Sequence, residues 1–377
     1  MDFNLSEEQE MLRKSARDFL DDKCKKTLVK EMEKDQRGYP PELWKEMAEL
    51  GWFGLAFPEQ YEGSGMSFLD MAVLLEETGR ACLPGPFFST VVLGGLTILD
   101  AGNDEQKITY LPKIARGEAV MTMALTETDA QYTADAIKLK AEADANGFIL
   151  SGSKLFVPYA NTADYLLCVA RTKQGGPAED SLSIFIVDGN APGIEYSLLN
   201  TIANDKQCEV VFKRVKVPSD RLLGNLNQGW SIVQRALERA AVTKCCEMVG
   251  MMQRALEMTV SYAKDRKQFS RPIGSFQVIH HYCANMATDT DAARFATYQA
   301  AWRISEGLPA SREVAIAKAW MNEAYNRVIT LAHQIHGAIA CTIDHELQYY
   351  TKRGKAADLS YGDGDFYREI VAKEMGL

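Results

Sequence analysis

One carboxylate stands on a helix face that is otherwise small or apolar. The stretch from Arg235 to Val260 has helical periodicity, and at 3.6 residues per turn Ala240, Thr243, Glu247, Gly250, Met251 and Arg254 share one side of it. Such a face packs against something, and a carboxylate there is costly to desolvate. Glu247 is therefore either paired or held as a proton acceptor. Lys244 and Arg254, each within one to two turns, could supply the pairing, and an ordinary exposed glutamate is the third reading. A second acidic group, Asp363 and Asp365, lies in Tyr361-Gly362-Asp363-Gly364-Asp365, a composition equally at home in a solvated turn. The histidines at 280, 281, 333, 336 and 345 include one i, i+3 pair, His333 and His336. No carboxylate completes a metal set around that pair, so no metal is expected. The eight cysteines show no C-x-x-C spacing and read as reduced thiols.

The elements that must position these groups change in texture along the chain. Residues 1–118 read as helices. Ser6-Glu7-Glu8-Gln9 is a capping box with Leu5 as its staple, Pro40-Pro41 restarts a helix, and Gly51 ends it. From 119 to 225 the period shifts to two. Residues 147–157, 165–171, 182–187 and 208–217 are strand-like, with turn clusters between them. From 226 to 377 long helices return, opened near Gly229, Gly274 and Ser311. The order helices, strands, helices predicts a mainly α protein with a central β domain: an N-terminal helical domain (1–118), a small antiparallel barrel (119–225) and a C-terminal helical bundle (226–377).

Composition narrows the function classes. The 377 residues are 46% hydrophobic and 25% charged, enough for two or three domains with a substantial core. The net charge of -9 and the lack of any Lys/Arg-rich block argue against nucleic acid as a partner. No apolar run approaches the ~20 residues that span a bilayer. The acidic opening residues lack a signal-peptide pattern, so a cytoplasmic location is expected. No G-x-G-x-x-G, P-loop or G-x-S-x-G is present.

Several strings, in order across the chain, resemble the acyl-CoA dehydrogenase family of flavoproteins. Tyr262-Ala-Lys-Asp-Arg266-Lys-Gln-Phe269-Ser-Arg-Pro-Ile-Gly274-Ser-Phe-Gln277 is similar to the family pattern Y-x-x-x-R-x-x-F-G-x-x-I-x-x-F-Q. Ala124-Leu125-Thr126-Glu127 resembles the start of A-x-T-E-P-x-x-G-S-D. Gln334-Ile-His-Gly337-Ala-Ile-Ala-Cys-Thr342 resembles Q-x-x-G-G-x-G-x-T, and Gly152-Ser-Lys-Leu-Phe156-Val157 resembles G-x-K-x-W-I.

The resemblance implies FAD as cofactor and an acyl-CoA thioester as substrate. It places Leu125 and Thr126 against the flavin ring, and Phe156, with Val157 beside it, in the place of a stacking tryptophan. Arg266 would lie on the pyrophosphate and Phe269 on the adenosine half, and Gln334 and Gly337 would touch the FAD of a neighbouring subunit. Electrons would leave to an electron-transferring flavoprotein, and the assembly would be a homotetramer or an α2β2 heterotetramer. The chain departs from the pattern at residues 128–133, which border the CoA entrance, at Pro158-Tyr159, and at Ala338 and Ala340. The family's usual base, a glutamate in a C-terminal Y-E-G-T loop, is missing, and the alternative helix position is occupied by Ala240. Glu247, almost two turns further along the same face, is the expected base. Asp363 and Asp365 are the runners-up, and the Gly362 N–H is the expected donor to the thioester oxygen. A flavin oxidase or monooxygenase on the same fold, and a non-catalytic subunit that completes an FAD site, are the competing functions.

Overall fold

The computed structural model describes residues 4–377; Met1–Phe3, the start of the acidic opening stretch, lie outside the described residues. The helices are α1 (Glu7–Lys23), α2 (Lys26–Lys34), α3 (Pro41–Glu49), α4 (Phe68–Ala81), α5 (Leu96–Ala101), α6 (Asp104–Ala115), α7 (Gly229–Asp265), α8 (Gln277–Ser305), α9 (Ser311–His336), α10 (Leu347–Leu359) and α11 (Gly364–Glu374). The strands are β1 (Met121–Ala124), β2 (Lys140–Asp144), β3 (Gly147–Pro158), β4 (Tyr165–Arg171), β5 (Leu182–Asp188), β6 (Ile194–Leu199), β7 (Gln207–Pro218), β8 (Leu222–Leu223), and the hairpin β9 (Lys267–Gln268) and β10 (Arg271–Pro272). Contacts divide the chain into two compact units: residues 1–30, 68–83 and 241–377, and residues 31–67 and 84–240.

The first unit is helical. The N-terminus of α1 is capped as its sequence dictates: Ser6 Oγ accepts from the Gln9 N–H (3.2 Å), and Gln9 Oε1 accepts from the Ser6 N–H (3.0 Å). Inside the unit, α4 and α7 cross so closely that side chains are excluded at the contact. A Cβ on Gly79 would stand 2.0 Å from the Glu247 carbonyl oxygen, and one on Gly250 would stand 1.8 Å from that of Glu76. Glycine at both positions lets the two backbones touch, and this fixes where Glu247 sits. Ser311, expected to cap α9, is instead its first helical residue; the cap position is Ala310, with no side-chain bond. Among the described residues no helix is long and apolar enough to cross a membrane.

The second unit is built around a sheet of order β6-β7-β3-β2-β4-β5-β8, with β1 lying on β4. Leu150, Leu166, Cys168, Phe185, Val210 and Phe212 are at the centre of its core. The expected strands are present, but the expected antiparallel barrel is corrected in two ways. β1 runs parallel to β4, pairing Met121 with Tyr165 through Ala124 with Cys168, and β2 meets β4 in parallel at Lys140 and Arg171. The sheet is also open: among the described residues its end strands, β6 and β8, do not pair with each other. β4 is buried without a break from Leu166 to Ala170, the near-continuous apolar run of a strand covered on both faces, not the alternation of a half-solvated antiparallel one. All four residues of β1 are buried, so it has no alternation to read.

Candidate active site

In the sheet unit, the candidate residues gather where β1 ends and β3 bends. The carboxylate of Glu127 accepts from the N–H groups of Lys138 (2.9 Å) and Leu139 (3.0 Å) and from Lys154 Nζ (2.7 Å). Lys154 also donates to the Leu125 carbonyl (2.9 Å), and the Leu155 N–H donates to the Thr126 carbonyl (2.8 Å). The Leu125-Thr126 step is thereby tied to β3 at two successive carbonyls. Lys154 is wholly buried, and burial pulls its ammonium below the ordinary lysine value while Glu127 works against that.

Two residues further along β3, the strand bulges. Lys154 pairs with Val210 but Val157 pairs with Cys208, so β3 carries one residue more than β7 across this interval. Phe156 sits in the bulge at φ +52°, and its ring is half exposed while Val157 is buried. A left-handed phenylalanine costs on the order of 1 kcal/mol, and its exposure forgoes roughly 1.5–3 kcal/mol of burial. Tyr159, two residues past Val157, is also left-handed (φ +52°), and its hydroxyl accepts from the Gly85 N–H (2.8 Å). The fold holds an aromatic ring outward at a site over-determined from both sides, as a ring-stacking surface requires.

In the helical unit, the C-terminal end of α7 runs into the hairpin β9–β10. Its two-residue turn is Phe269-Ser270, at φ +51° and +66°, which brings Gln268 opposite Arg271. Phe269 is 89% exposed, the most exposed large apolar residue described, and Arg266, at the foot of the hairpin, is exposed as well. Arg271 lies over the Phe276 ring at 4.1 Å, which anchors the hairpin from below. Gln334 is exposed in the last turn of α9, and Gly337 follows as its C-cap at φ +69°, with nothing within 4 Å of where a Cβ would lie. Ala338 and Ala340 lie outside the left-handed region, so replacing glycine there strains no backbone. His333 Nε2 meets the Thr351 hydroxyl (2.8 Å), and His336 Nδ1 meets the Ala332 carbonyl (2.9 Å).

Glu247 is paired. Lys244 Nζ stands 2.8 Å from its Oε2, and the two side chains are 16% and 19% exposed. Arg254, the other partner considered, instead lies near Glu257 (3.8 Å) and Glu346 (3.9 Å). The two loop aspartates both have structural work. Asp363 caps α11 by accepting from the Phe366 N–H (2.9 Å), and Asp365, at the surface, pairs with Arg368 (2.5 Å).

Between them and α10 lies a strained turn, Tyr361 at φ +58° and Gly362 at φ +105°. A Cβ on Gly362 would stand 2.5 Å from Phe366 Cδ1 and 2.7 Å from Tyr367 Cε2, so no other residue fits. Gly362 is buried, and its N–H has no acceptor among the described residues. A buried N–H left without a protein acceptor is rare, and water or a bound group completes its bond.

Three family models cover nearly the whole chain: the acyl-CoA dehydrogenase N-terminal domain over residues 6–118, the middle domain over 122–215 and the C-terminal domain over 227–376. The chain belongs to the acyl-CoA dehydrogenase family. It is 31% identical, over the full length of both chains, to the probable acyl-CoA dehydrogenase YngJ of Bacillus subtilis. A chain in the structure of the electron-transferring flavoprotein of Acidaminococcus fermentans superposes with a TM-score of 0.92 at 30% identity, covering 100% of this chain and 99% of that one. A chain of the ChsE4–ChsE5 complex of Mycobacterium tuberculosis does so at 0.91 and 26% identity, covering 100% of this chain and 99% of that one.

Acyl-CoA dehydrogenases are FAD-dependent oxidoreductases, and the residues present here suit that cofactor. An outward aromatic ring on a bulge, an arginine fork below an exposed hairpin, and an open Gly337 are the features a flavin dinucleotide would use. Lys154 and Glu127 stand in two separate family-like strings, and nothing local in either string marks their pairing. The one signal was a lysine inside the apolar strand-like segment 147–157, which needs a counter-charge from elsewhere in the chain. Lys318 carries no sequence signal of its own, because it occupies one apolar-face position of a long helix.

Proposed function

We propose that this chain oxidises an acyl-CoA thioester between Cα and Cβ, with the Gly362 N–H on the thioester carbonyl and Glu247 as the base. The observation that carries this reading is the Gly362 N–H: buried, without an acceptor among the described residues, and in a turn that tolerates no side chain. A donor fixed in advance where negative charge develops stabilises the enolate-like oxygen and acidifies the α-proton. Lys244 holds Glu247 by Oε2, and Oε1 is the atom that would take that proton. What bound FAD supplies is the acceptor for the β-hydride. Leu125, Thr126, Phe156 and Val157 would hold its ring; Arg266, Phe269, Gln334 and Gly337 would hold the remainder. Electrons then leave to an electron-transferring flavoprotein. The employment of Asp363 as a helix cap and of Asp365 in a surface ion pair supports Glu247 over either aspartate. The divisions at 118/119 and 225/226, and a cytoplasmic location, belong to the same proposal.

The test is Glu247→Gln. It should retain FAD and lose flavin reduction by acyl-CoA by about 10²-fold or more, the scale of a lost general base. Full activity in that variant excludes Glu247.

A second reading has its own support. A carboxylate already bound to Lys244, a C-terminal loop without glutamate, and likeness to a chain of a two-component complex favour an FAD-completing subunit of an α2β2 assembly. Co-purification of a homologous second chain supports that reading, and an FAD-saturated homotetramer overturns it.

A further inference from the structure

Lys318 lies on α9 with no exposed surface, and the groups around it are unusual for a lysine. A fully buried ammonium is normally met by a carboxylate. This one donates to the main-chain carbonyls of Ala357 (2.7 Å) and Asp358 (3.1 Å) and to Asn322 Oδ1 (3.1 Å). Asn322 Nδ2 donates to the same Asp358 carbonyl (3.1 Å), while the Asp358 carboxylate turns away to Lys355 (2.7 Å). The acceptors are the last carbonyls of α10; that of Ala357 also receives the Ser360 N–H (3.3 Å), and together they carry the negative end of the helix dipole. A methionine would fill the same volume without the desolvation cost, so what the ammonium adds is a fixed end for α10.

That end is where the Gly362 turn begins. From Asp358 the chain reaches Tyr361 and Gly362 through Leu359 and Ser360, and the Ser360 N–H donates back to Ala356 (3.1 Å). On the far side, the Tyr367 hydroxyl donates to the Tyr361 carbonyl (2.7 Å), and Asp363 caps α11. The turn is held downstream by α11 and upstream through Lys318. We infer that Lys318 is a positioning residue for the reaction: by clamping the C-terminus of α10 to α9 it aims the Gly362 N–H at the thioester oxygen. The inference rests on the proposed role of Gly362.

The experiment reads the carbonyl itself. Crotonyl-CoA labelled with 13C at the thioester carbon is bound to the FAD-loaded protein, and the C=O stretch is followed by infrared difference spectroscopy. Wild type should shift the stretch to lower frequency. Lys318→Met, with unchanged flavin content and a crotonyl-CoA Kd within about threefold, should lose most of that shift and about tenfold in the limiting rate of flavin reduction. A full shift and full rate in a folded, flavin-loaded Lys318→Met overturns the inference and leaves Gly362 standing. No shift in wild type overturns the Gly362 reading, and the inference with it.

If Lys318→Met fails to fold, wild type is titrated instead. Burial brings Lys318 down to about 8, with Cys245, Asp358 and Asp363 opposing that and Lys244 adding to it. These are the titratable groups that face Lys318 from α7, from α10 and from the cap of α11. The shift should then relax between pH 7 and 9.5 with a midpoint near 8, and a shift constant across that range overturns the inference.

Discussion

The two units each use a wholly buried lysine to hold main-chain carbonyls in place, and they do it differently. In the sheet unit, Lys154 holds the Leu125 carbonyl and is paired with Glu127, whose carboxylate is itself satisfied by two backbone N–H groups. In the helical unit, Lys318 holds two carbonyls at the end of α10 with the Asn322 amide beside them and, among the described residues, no carboxylate in reach of a hydrogen bond. Burial pulls both lysines below their ordinary value. The first arrangement makes the loop a rigid platform, because removing either charge strands the other in the core. The second leaves the charge removable, because helix-end carbonyls attract a cation but do not depend on one.

The largest expected effect separates the two directly. Lys154→Met leaves the Glu127 carboxylate buried without its counter-charge and should cost about 3–5 kcal/mol in urea unfolding. The double change Lys154→Met with Glu127→Gln should recover much of this. Lys318→Met removes a donor only from neutral acceptors, of which the Asp358 and Ala357 carbonyls keep Asn322 Nδ2 and the Ser360 N–H, and should stay within about 1–3 kcal/mol of wild type. Equal losses in the two single variants would erase the distinction.

A titration sharpens it next. The folded-state value for Lys318, about 8, is below the ordinary 10.5. Between those values the unfolded chain binds more protons than the folded one. Stability should therefore rise as pH climbs from 8 towards 10.5, by about 3 kcal/mol for this group, and the burden is fully present below pH 8. Unfolding free energies of wild type and Lys318→Met across pH 7.5–10 isolate this contribution as their difference.

How much of this was legible in the sequence varied with the range of the interaction concerned. Helix positions and the order of the three regions were readable, because periodicity and caps such as Ser6–Gln9 are local. The alternatives for Glu247 were readable too, because Lys244 is one turn away, and the pair is present. The open, mixed sheet was harder to read, since the partner of β1 is β4, some forty residues later, and the four residues of β1 are too few for unbroken burial to mark a direction. Nor were the contacts between Lys154 and Leu125, or between Lys318 and Ala357, since each joins segments far apart in the chain. The strain at Phe156 was hidden for a different reason: a bulge depends on the register of two strands, and Phe156 reads as an ordinary strand residue in its own segment.

That hidden strain gives the smallest effect, and the sharpest contrast within the sheet unit. Phe156 and Phe185 are both aromatic residues of the same sheet, one half exposed at φ +52° and one fully buried in the core. Phe185→Ala should lose about 3–5 kcal/mol of stability, like any large truncation in a packed interior. Phe156→Gly removes a ring that the apo protein does not need and relieves a left-handed position that glycine adopts freely. Its apo stability should stay level or rise by up to about 1 kcal/mol, while its FAD dissociation constant should rise about tenfold as the stacking surface goes. Calorimetric unfolding of the apo protein and a flavin-fluorescence titration would measure the two sides. A Phe156→Gly variant that lost stability as Phe185→Ala does would mean that the ring holds the core together. Level stability with weakened FAD binding would mean that the bulge exists to present it.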